Sequence, residues 1–512
     1  MNFEQRIRST ALKNKIMTPY EASLFVQNGM TVATSGFTPS GYPKVVPLAI
    51  AERAKDGEKI EITLITGASV GEELDGALTK EGVIVRRFPY QTNESCRNAI
   101  NNGAIHYADM HLSHVSQYMD YGFFGDIDVA IIEAIAINED GGIVPSTSVG
   151  VSPQAIKNAK VVIVEINTAQ PMSLEGVHDI YMTEKPPFRK PIPIEHAGDR
   201  IGTPFIPCDP NKIVAIVHSN LKDRVRPLGQ VDKDSRAISK HIMHFLENEV
   251  ESGRLPENLL PLQSGVGSVA NAVMAGLVES KFENLTCYTE VIQDCVLDLI
   301  DAGKVTVASG TSFTPSEQGL DRLLNNMDHY SKYCVIRPME ISNNPEVARR
   351  LGVISMNTAI EVDIFGHVNS TNIMGSRMMN GIGGSGDFTR NAYISIFTTV
   401  STAKGGDISS IVPMVSHVDH TEHDVQVVVT ELGYADLRGK SPIERAKAII
   451  ENCAHPDYQP MLRDYLERAQ KEKPQHEPHL IGEALSMHER FIKTGSMKMP
   501  INEETIKGDR VR

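Results

Sequence analysis

Short apolar runs rich in valine, isoleucine and threonine recur along the whole chain, separated by stretches in which apolar residues fall every three or four positions. In the first half these runs are TVATSG, EITLITGAS, IDVAIIEAIAI, KVVIVEIN and KIVAIVHSN; in the second they are LTCYTEVIQ, KVTVASG, EVDIF and VQVVVTE. Strand-length runs alternating with helical spacing predict an α/β fold with mainly parallel sheets. Ile238, Ile242, Phe245, Leu246 and Val250 recur at helical spacing until Gly253, predicting an amphipathic helix. Further on, Ser441-Pro442-Ile443-Glu444 places a capping box and an N1 proline ahead of the apolar AKAII run, and the C-terminal region reads as helical.

At 512 residues the chain exceeds what one core usually organises, so two domains are expected. The charged stretch Ser219–Ala237 lacks apolar periodicity and reads as the connection between them, dividing the chain into residues 1–225 and 226–512. The halves read as a duplication. Each has an apolar run ending in Ser-Gly (Ser35-Gly36, Ser264-Gly265), a strand ending in a polar pair (GAS to Ser69, YTE to Glu290), an Asp-bearing strand (IDVAII, EVDIF) and a Val-rich strand carrying Glu (VVIVEIN, VVVTELG).

Composition narrows the function. A formal net charge of -14 argues against a nucleic-acid-binding surface, which needs clustered Lys and Arg, but leaves room for a local anion pocket. Cys96, Cys208, Cys287, Cys295, Cys334 and Cys453 are scattered without a C-x-x-C pair, which fits a reducing compartment and the cytoplasm. The N-terminus has no apolar signal core, and the apolar runs are too short or too interrupted by charge to span a bilayer, so no membrane role is expected.

The glycine cluster Asn380-Gly381-Ile382-Gly383-Gly384-Ser385-Gly386 formally matches the dinucleotide fingerprint. Neither the preceding MGSRMM nor the following DFTRNAYISIF supplies the strand-turn-helix setting that this fingerprint needs. What remains is that successive glycines let backbone N–H groups approach a ligand, or simply make a turn. The loop Gln263-Ser264-Gly265-Val266-Gly267 follows an apolar run and precedes the helix-like ANAVMAGL, where amides could face an anion or a developing oxyanion. His417, His420 and His423 form H-x-x-H-x-x-H, but they lie between apolar strand-like runs and near Pro413; they read as hydrogen-bonding loop histidines, and no metal is expected.

No G-x-S-x-G elbow, Walker loop or H-E-x-x-H pair is present, which leaves a carboxylate as the leading nucleophile. Glu290 ends the run CYTE, where a strand's C-terminal end delivers a side chain to the ligand-binding crevice of an α/β sheet. Glu133, Glu165 and Glu431 also lie on or near strands, so position alone does not choose among the four.

The segments SGFTPSGYPK, LITGAS, LLPLQSGVGSVANAV, CYTEVIQD, EISNNPEVARRLG, MNGIGGSGDF, SIVPMVSHVDHTEHDV and ADLRG, in this order, resemble the acetyl-CoA hydrolase/transferase family from about Arg6 to Met497. The resemblance implies two similar open α/β domains of the CoA-transferase type, and small carboxylic acids and their CoA thioesters as substrates, succinate and acetate first among them. It places the nucleophile on Glu290 and the oxyanion and CoA-binding loop on Gln263, Ser264, Gly265, Val266 and Gly267. Further CoA contacts fall on Asn380 and Gly384, with Lys404 a partner for CoA phosphate. Ser69, Asn343 and Glu431 would line the pocket, and Arg224 is a candidate for a substrate carboxylate. CoA is then substrate and covalent intermediate with no permanently bound cofactor. The chain departs from many relatives at Leu432, where they have Gln, and at Ser268, where they have Asn. The alternatives are an acyl-CoA hydrolase using the same nucleophile and a CoA-binding regulatory protein without turnover. A homodimer is expected as the commonest closed assembly.

Overall fold

A computed structural model of the chain describes residues 1–225, 231–265 and 267–499. These gather into two compact units. The first comprises Met1–Asp232, Met243–Asn357 and Arg377–Ser395; the second comprises Lys233–Ile242, Thr358–Ser376 and the chain from Ile396 onward. The stretch 226–230, at the boundary expected from the sequence, and Val266 lie outside the described residues.

The first unit contains a parallel sheet in the order His106–Tyr107, Ile84–Phe88, Ile62–Ile65, Thr31–Thr34, Ile127–Ile137, Ala159–Asn167, Ile213–Ser219. A short strand, Ile143–Pro145, runs antiparallel to Ile127–Ile137. Ile127–Ile137 is apolar at nearly every position because it is buried on both faces, as a central parallel strand must be. Its register sets Ala130 against Ala33 and Ile131 against Ile163. Val32, Leu64, Ile84, Val129 and Ile131 pack with Ile50 and Leu74 into one core, each fully buried aliphatic contributing ~1.5–3 kcal/mol relative to exposure.

The same unit holds a second run of parallel strands, in the order Cys334–Ile336, Val305–Gly310, Leu285–Tyr288, Leu262–Ser264, Ile354–Thr358. Numbered along each half, both sets begin with the order 4-3-2-1-5, which is the duplication anticipated from sequence. Ser35-Gly36 follows the first strand and Ser264-Gly265 spans the end of its counterpart, and Ser69 and Glu290 both follow the second. Two pairings expected from sequence are wrong. By sheet order the counterpart of Ala159–Asn167 is Ile394–Thr398, and Val427–Thr430 takes the place of Ile213–Ser219. The fifth strand of the second set is Ile354–Thr358, not EVDIF; Glu361–Asp363 belongs to a small sheet with Val368–Asn369 and Ile411–Val412 in the second unit. The physical reason is length, since Glu361–Asp363 is three residues beside the eleven of Ile127–Ile137.

In the second unit Val427–Thr430 pairs in parallel with Ile394–Thr398 and antiparallel with Gly433–Asp436. The expected capping box is present. Ser441 N–H and Oγ–H both donate to Glu444 Oε2, at 2.8 and 2.7 Å, at the start of helix Pro442–Cys453. Helices Gln459–Glu472 and Ser486–Thr494 follow. The amphipathic helix forms over Lys233–Glu251 with Ile238, Ile242, Phe245 and Leu246 buried, and Gly253 follows it at φ +72°. Among the described residues no helix is long and apolar enough to cross a membrane.

Candidate active site

Glu290 sits two residues beyond the end of strand Leu285–Tyr288, at the C-terminal edge of the sheet where parallel strands present ligands. Its backbone is clamped: Thr289 N–H donates to Ser309 O (2.9 Å) and Thr311 N–H to Glu290 O (2.8 Å). The neighbouring strand ends in the glycine loop, and Gln293 Nε2 donates to Gly265 O (3.1 Å), tying that loop to the segment carrying Glu290. The side chain of Glu290 is partly buried.

Two neutral donors hold its carboxylate. Asn343 Nδ2 donates to Glu290 Oε2 at 2.8 Å, and Gly384 supplies a backbone N–H. Asn343 is fully buried in the short gap between helices Met339–Ser342 and Pro345–Leu351. That gap follows from the sequence Asn343-Asn344-Pro345: Asn344 caps the second helix through Glu346 N (3.0 Å) and Val347 N (3.3 Å), and Pro345 opens it. Ser342 Oγ donates to Asn343 Oδ1 (2.8 Å), which leaves the amide nitrogen for Glu290. Tyr288 Oη donates to Ile341 O, fastening the segment that carries Asn343 to the strand that carries Glu290.

Gly384 must be glycine. A Cβ there would overlap both the Glu290 carboxylate and the Asn343 amide. The same holds along the loop, where a Cβ at Gly381 would meet Tyr90, Tyr107 and Asp109, and one at Gly386 would meet the His111 ring. Ile382 N–H donates to Asp109 Oδ2 (2.8 Å). The strand before the loop, Arg377–Met378, has two residues and the helix after it, Ser385–Thr389, has five. This is a close-approach loop, not a dinucleotide turn.

Sequence reasoning passed over Asp387 and Ser113. Asp387 is buried, accepting from Ser113 Oγ (2.6 Å) and Ser113 N–H (3.0 Å) and from the Asn343 amide. Tyr288, Ile341 and Phe388 belong to one apolar cluster, and they stand two, two and one residues from Glu290, Asn343 and Asp387. Shared packing therefore brings the three polar side chains together. Burial, against the Asn343 and Gly384 donors, pushes the Glu290 carboxyl up to about 7. Burial also pushes Asp387 up to about 7, with the Glu290 charge acting in the same direction against the Ser113 and Asn343 hydrogen bonds.

The other candidates take different places. Gln263 is buried and exchanges amide hydrogen bonds with Asn357 (3.3 Å each way), Gly265 N–H donates to Met356 O (2.9 Å), and Ser264 is buried. Gly267 stands at φ +136° as the N-cap of helix Ser268–Glu279. Asn380 opens the loop that carries Gly384, and its Oδ1 is buried without a hydrogen bond. Ser69 donates to Gln91 Oε1 (2.7 Å) and accepts from Asn93 N (3.2 Å), bracing a turn. Arg224 is largely exposed, with Nε 2.5 Å from Glu73 Oε1.

Lys404 and Glu431 belong to the second unit. Lys404 is exposed, its ammonium 5.0 Å from the Phe491 ring centre, and Glu431 accepts from Ser401 N (2.8 Å) and Ser401 Oγ.

The histidines of H-x-x-H-x-x-H lie on a non-helical segment. His417 pairs with Asp419 (3.2 Å), His423 with Glu422 (2.6 Å), and the His420 ring lies 4.8 Å from Phe397. His367, Glu422 and Glu477 come within 4.8 Å of one another. Burial lowers the His367 pKa, but Asp363 at 3.1 Å, with Glu477 and Glu422, raises it overall.

Solved structures share the fold. RipA from Yersinia pestis superimposes with a TM-score of 0.70 at 22% identity, over 92% of this chain and 100% of that one. A 4-hydroxybutyrate CoA-transferase from Porphyromonas gingivalis gives 0.62 at 21% identity, over 90% and 98%. The acetyl-CoA hydrolase/transferase N-terminal domain matches residues 1–218 and the C-terminal domain of the same family matches residues 319–466. The chain is 59% identical to a succinyl-CoA:acetate CoA-transferase of Clostridium kluyveri, over 97% of this chain and 92% of that protein. It is 46% identical to a propanoyl-CoA:succinate CoA transferase of Escherichia coli (94% and 98%) and to an acetyl-CoA hydrolase of Saccharomyces cerevisiae (97% and 97%). The chain belongs to the acetyl-CoA hydrolase/transferase family and is an enzyme.

Proposed function

We propose that this enzyme moves CoA between small carboxylic acids, with succinyl-CoA and acetate as its pair. The observation that carries the reading is a strand-end carboxylate, Glu290, held by the neutral donors Asn343 and Gly384. The 59% identity to a protein named for succinyl-CoA and acetate supports the choice of acids.

Glu290 attacks the thioester carbonyl, the carbon–sulfur bond breaks, and CoA thiolate leaves an acyl-glutamyl anhydride. The thiolate then adds to the glutamyl carbonyl and expels the first acid as its carboxylate, giving a glutamyl-CoA thioester. An incoming carboxylate runs the two steps in reverse, so kinetics are ping-pong and CoA is substrate and covalent intermediate without a permanent cofactor. Each addition creates an oxyanion. N–H donors from Gly267 and Gly384, with the Asn343 amide, are suited to meet it, each worth ~3 kcal/mol when preorganised. Gln263, Ser264, Gly265 and Asn380 complete the CoA site in this reading, and Ser69 and Arg224 its surroundings. The division into residues 1–225 and 226–512, a homodimer and a cytoplasmic location belong to the same reading.

A second reading, hydrolysis of the same intermediate by water, is supported by the 46% identity to the yeast protein named acetyl-CoA hydrolase. Intact mass after incubation with succinyl-CoA, then borohydride reduction and peptide mapping, tests the covalent route. Modification at Glu290, absent in Glu290→Ala, is the expected result; an unmodified Glu290 in a preparation that turns over excludes it. Products formed from acetyl-CoA with and without succinate separate the readings: a transferase gives acetate and succinyl-CoA and only when succinate is present, whereas a hydrolase gives acetate and free CoA without it.

A further inference from the structure

Asn343 faces two carboxylates with one amide nitrogen. Its Oδ1 accepts from Ser342 Oγ, so both of its hydrogens lie on Nδ2, one directed to Glu290 Oε2 and the other available to Asp387. Asp387 is in turn fixed by the hydroxyl and backbone N–H of Ser113, at 2.6 and 3.0 Å, from a segment 274 residues away. The relay Ser113, Asp387, Asn343, Glu290 joins four chain segments and stands on the apolar cluster of Tyr288, Ile341 and Phe388.

We infer that Asp387 is a positioning residue that acts on Glu290 through Asn343, orienting the shared amide and keeping a second negative charge beside the nucleophile. This rests on Glu290 being the nucleophile. A neighbouring anion makes Glu290 more basic and so a stronger nucleophile. When Glu290 becomes an anhydride or thioester it loses its charge, the repulsion ends, and the Asn343 amide turns toward Asp387 alone. The like charge therefore favours the covalent states over the free carboxylate without contacting substrate.

Other titratable groups face the same loop: His111 against Gly386, and Asp109 and Tyr107 against Gly381. Glu290 is the charged group that acts on Asp387 itself. A pH profile must therefore separate His111 from Asp387.

The test is the pH dependence of kcat/KM for acetyl-CoA with succinate as acceptor, and of the rate at which Glu290 is labelled, in wild type, Asp387→Asn and Ser113→Ala, each also in a His111→Gln background. Removing the charge in Asp387→Asn should move the acid limb down by about 0.5–1 pH unit and lower kcat about tenfold at pH 8, with KM for acetyl-CoA within about twofold. Ser113→Ala weakens the hold on ionised Asp387 and should move the limb in the same direction by less, and it serves if Asp387→Asn does not fold. The shifts should persist without His111. Acid limbs unmoved in both folded variants, or shifts that vanish with His111→Gln, overturn the inference while Glu290 labelling still stands; absence of labelling in wild type overturns the reading beneath it.

Discussion

Burial pushes up the pKa values of both Glu290 and Glu133 in the first unit, yet their surroundings differ in kind. Glu133 accepts from the buried ammonium of Lys44 (2.5 Å), from Ser146 Oγ (2.7 Å) and from Asn167 Nδ2 (2.9 Å), and the same ammonium pairs with Asp223 (2.9 Å). Glu165, close by, caps helix Val45–Lys55 by accepting backbone N–H groups of Lys44, Val45 and Val46. Glu290 has an amide and a backbone N–H, and among the described residues no basic side chain pairs with it. A raised pKa thus reports burial in both places, and the company of a cation separates a structural carboxylate from one free to react.

The contrast can be broken most sharply at the carboxylates themselves. Glu290→Gln should lower turnover ~10⁴-fold or more, while Glu133→Gln should retain most turnover and lose stability; steady-state rates and urea unfolding on both variants decide it, and equal losses of activity would erase the distinction. Next in size, Lys44→Met strands Glu133 and Asp223 without their cation and should cost ~3–5 kcal/mol by urea unfolding. A cost below ~1 kcal/mol would mean that the ammonium is not what holds that region together. Gly384→Ala drives a methyl into the Glu290 carboxylate and should lower kcat ~10²–10³-fold, a loss of ~3–4 kcal/mol, with the unfolding midpoint little changed. Retained activity would place the nucleophile elsewhere.

The smallest effect is on stability and runs opposite to that of Lys44→Met. Because the folded-state pKa of Glu290 lies above its unfolded value, ionising it costs the fold nothing below about pH 4.5, and the cost grows as pH rises until it is complete above about 7. Glu290→Gln should therefore match wild type in urea near pH 4.5 and exceed it by ~3 kcal/mol at pH 8. A variant less stable at pH 8 would show that the carboxylate supports the fold.

Local features carried well from sequence to structure. Ser441 and Glu444 lie within one turn, so their capping box was readable, as was the helix from Ile238 to Val250, whose apolar stripe announces its own face. The strand-end place of Glu290 was readable for the same reason, and so were the first two strands of each half. The choice among Glu133, Glu165, Glu290 and Glu431 was not, because it depends on partners such as Lys44, 89 residues from Glu133, and Asn343, 53 from Glu290. Asp387 was invisible as a functional residue: in sequence it is one more polar position after a glycine run, and its meaning comes from Ser113 across the unit. The EVDIF run misled because its pattern matches the central strand of the first half while its length does not.

An anion held only by neutral donors leaves no orphan behind when it is neutralised. Had Lys44 stood beside Glu290, esterifying the carboxylate would have stranded a dehydrated ammonium, and every turnover would have climbed that step and descended it again. With an amide and a peptide N–H in its place, neutralising Glu290 strands no buried cation, and that step is absent from the ladder of covalent states.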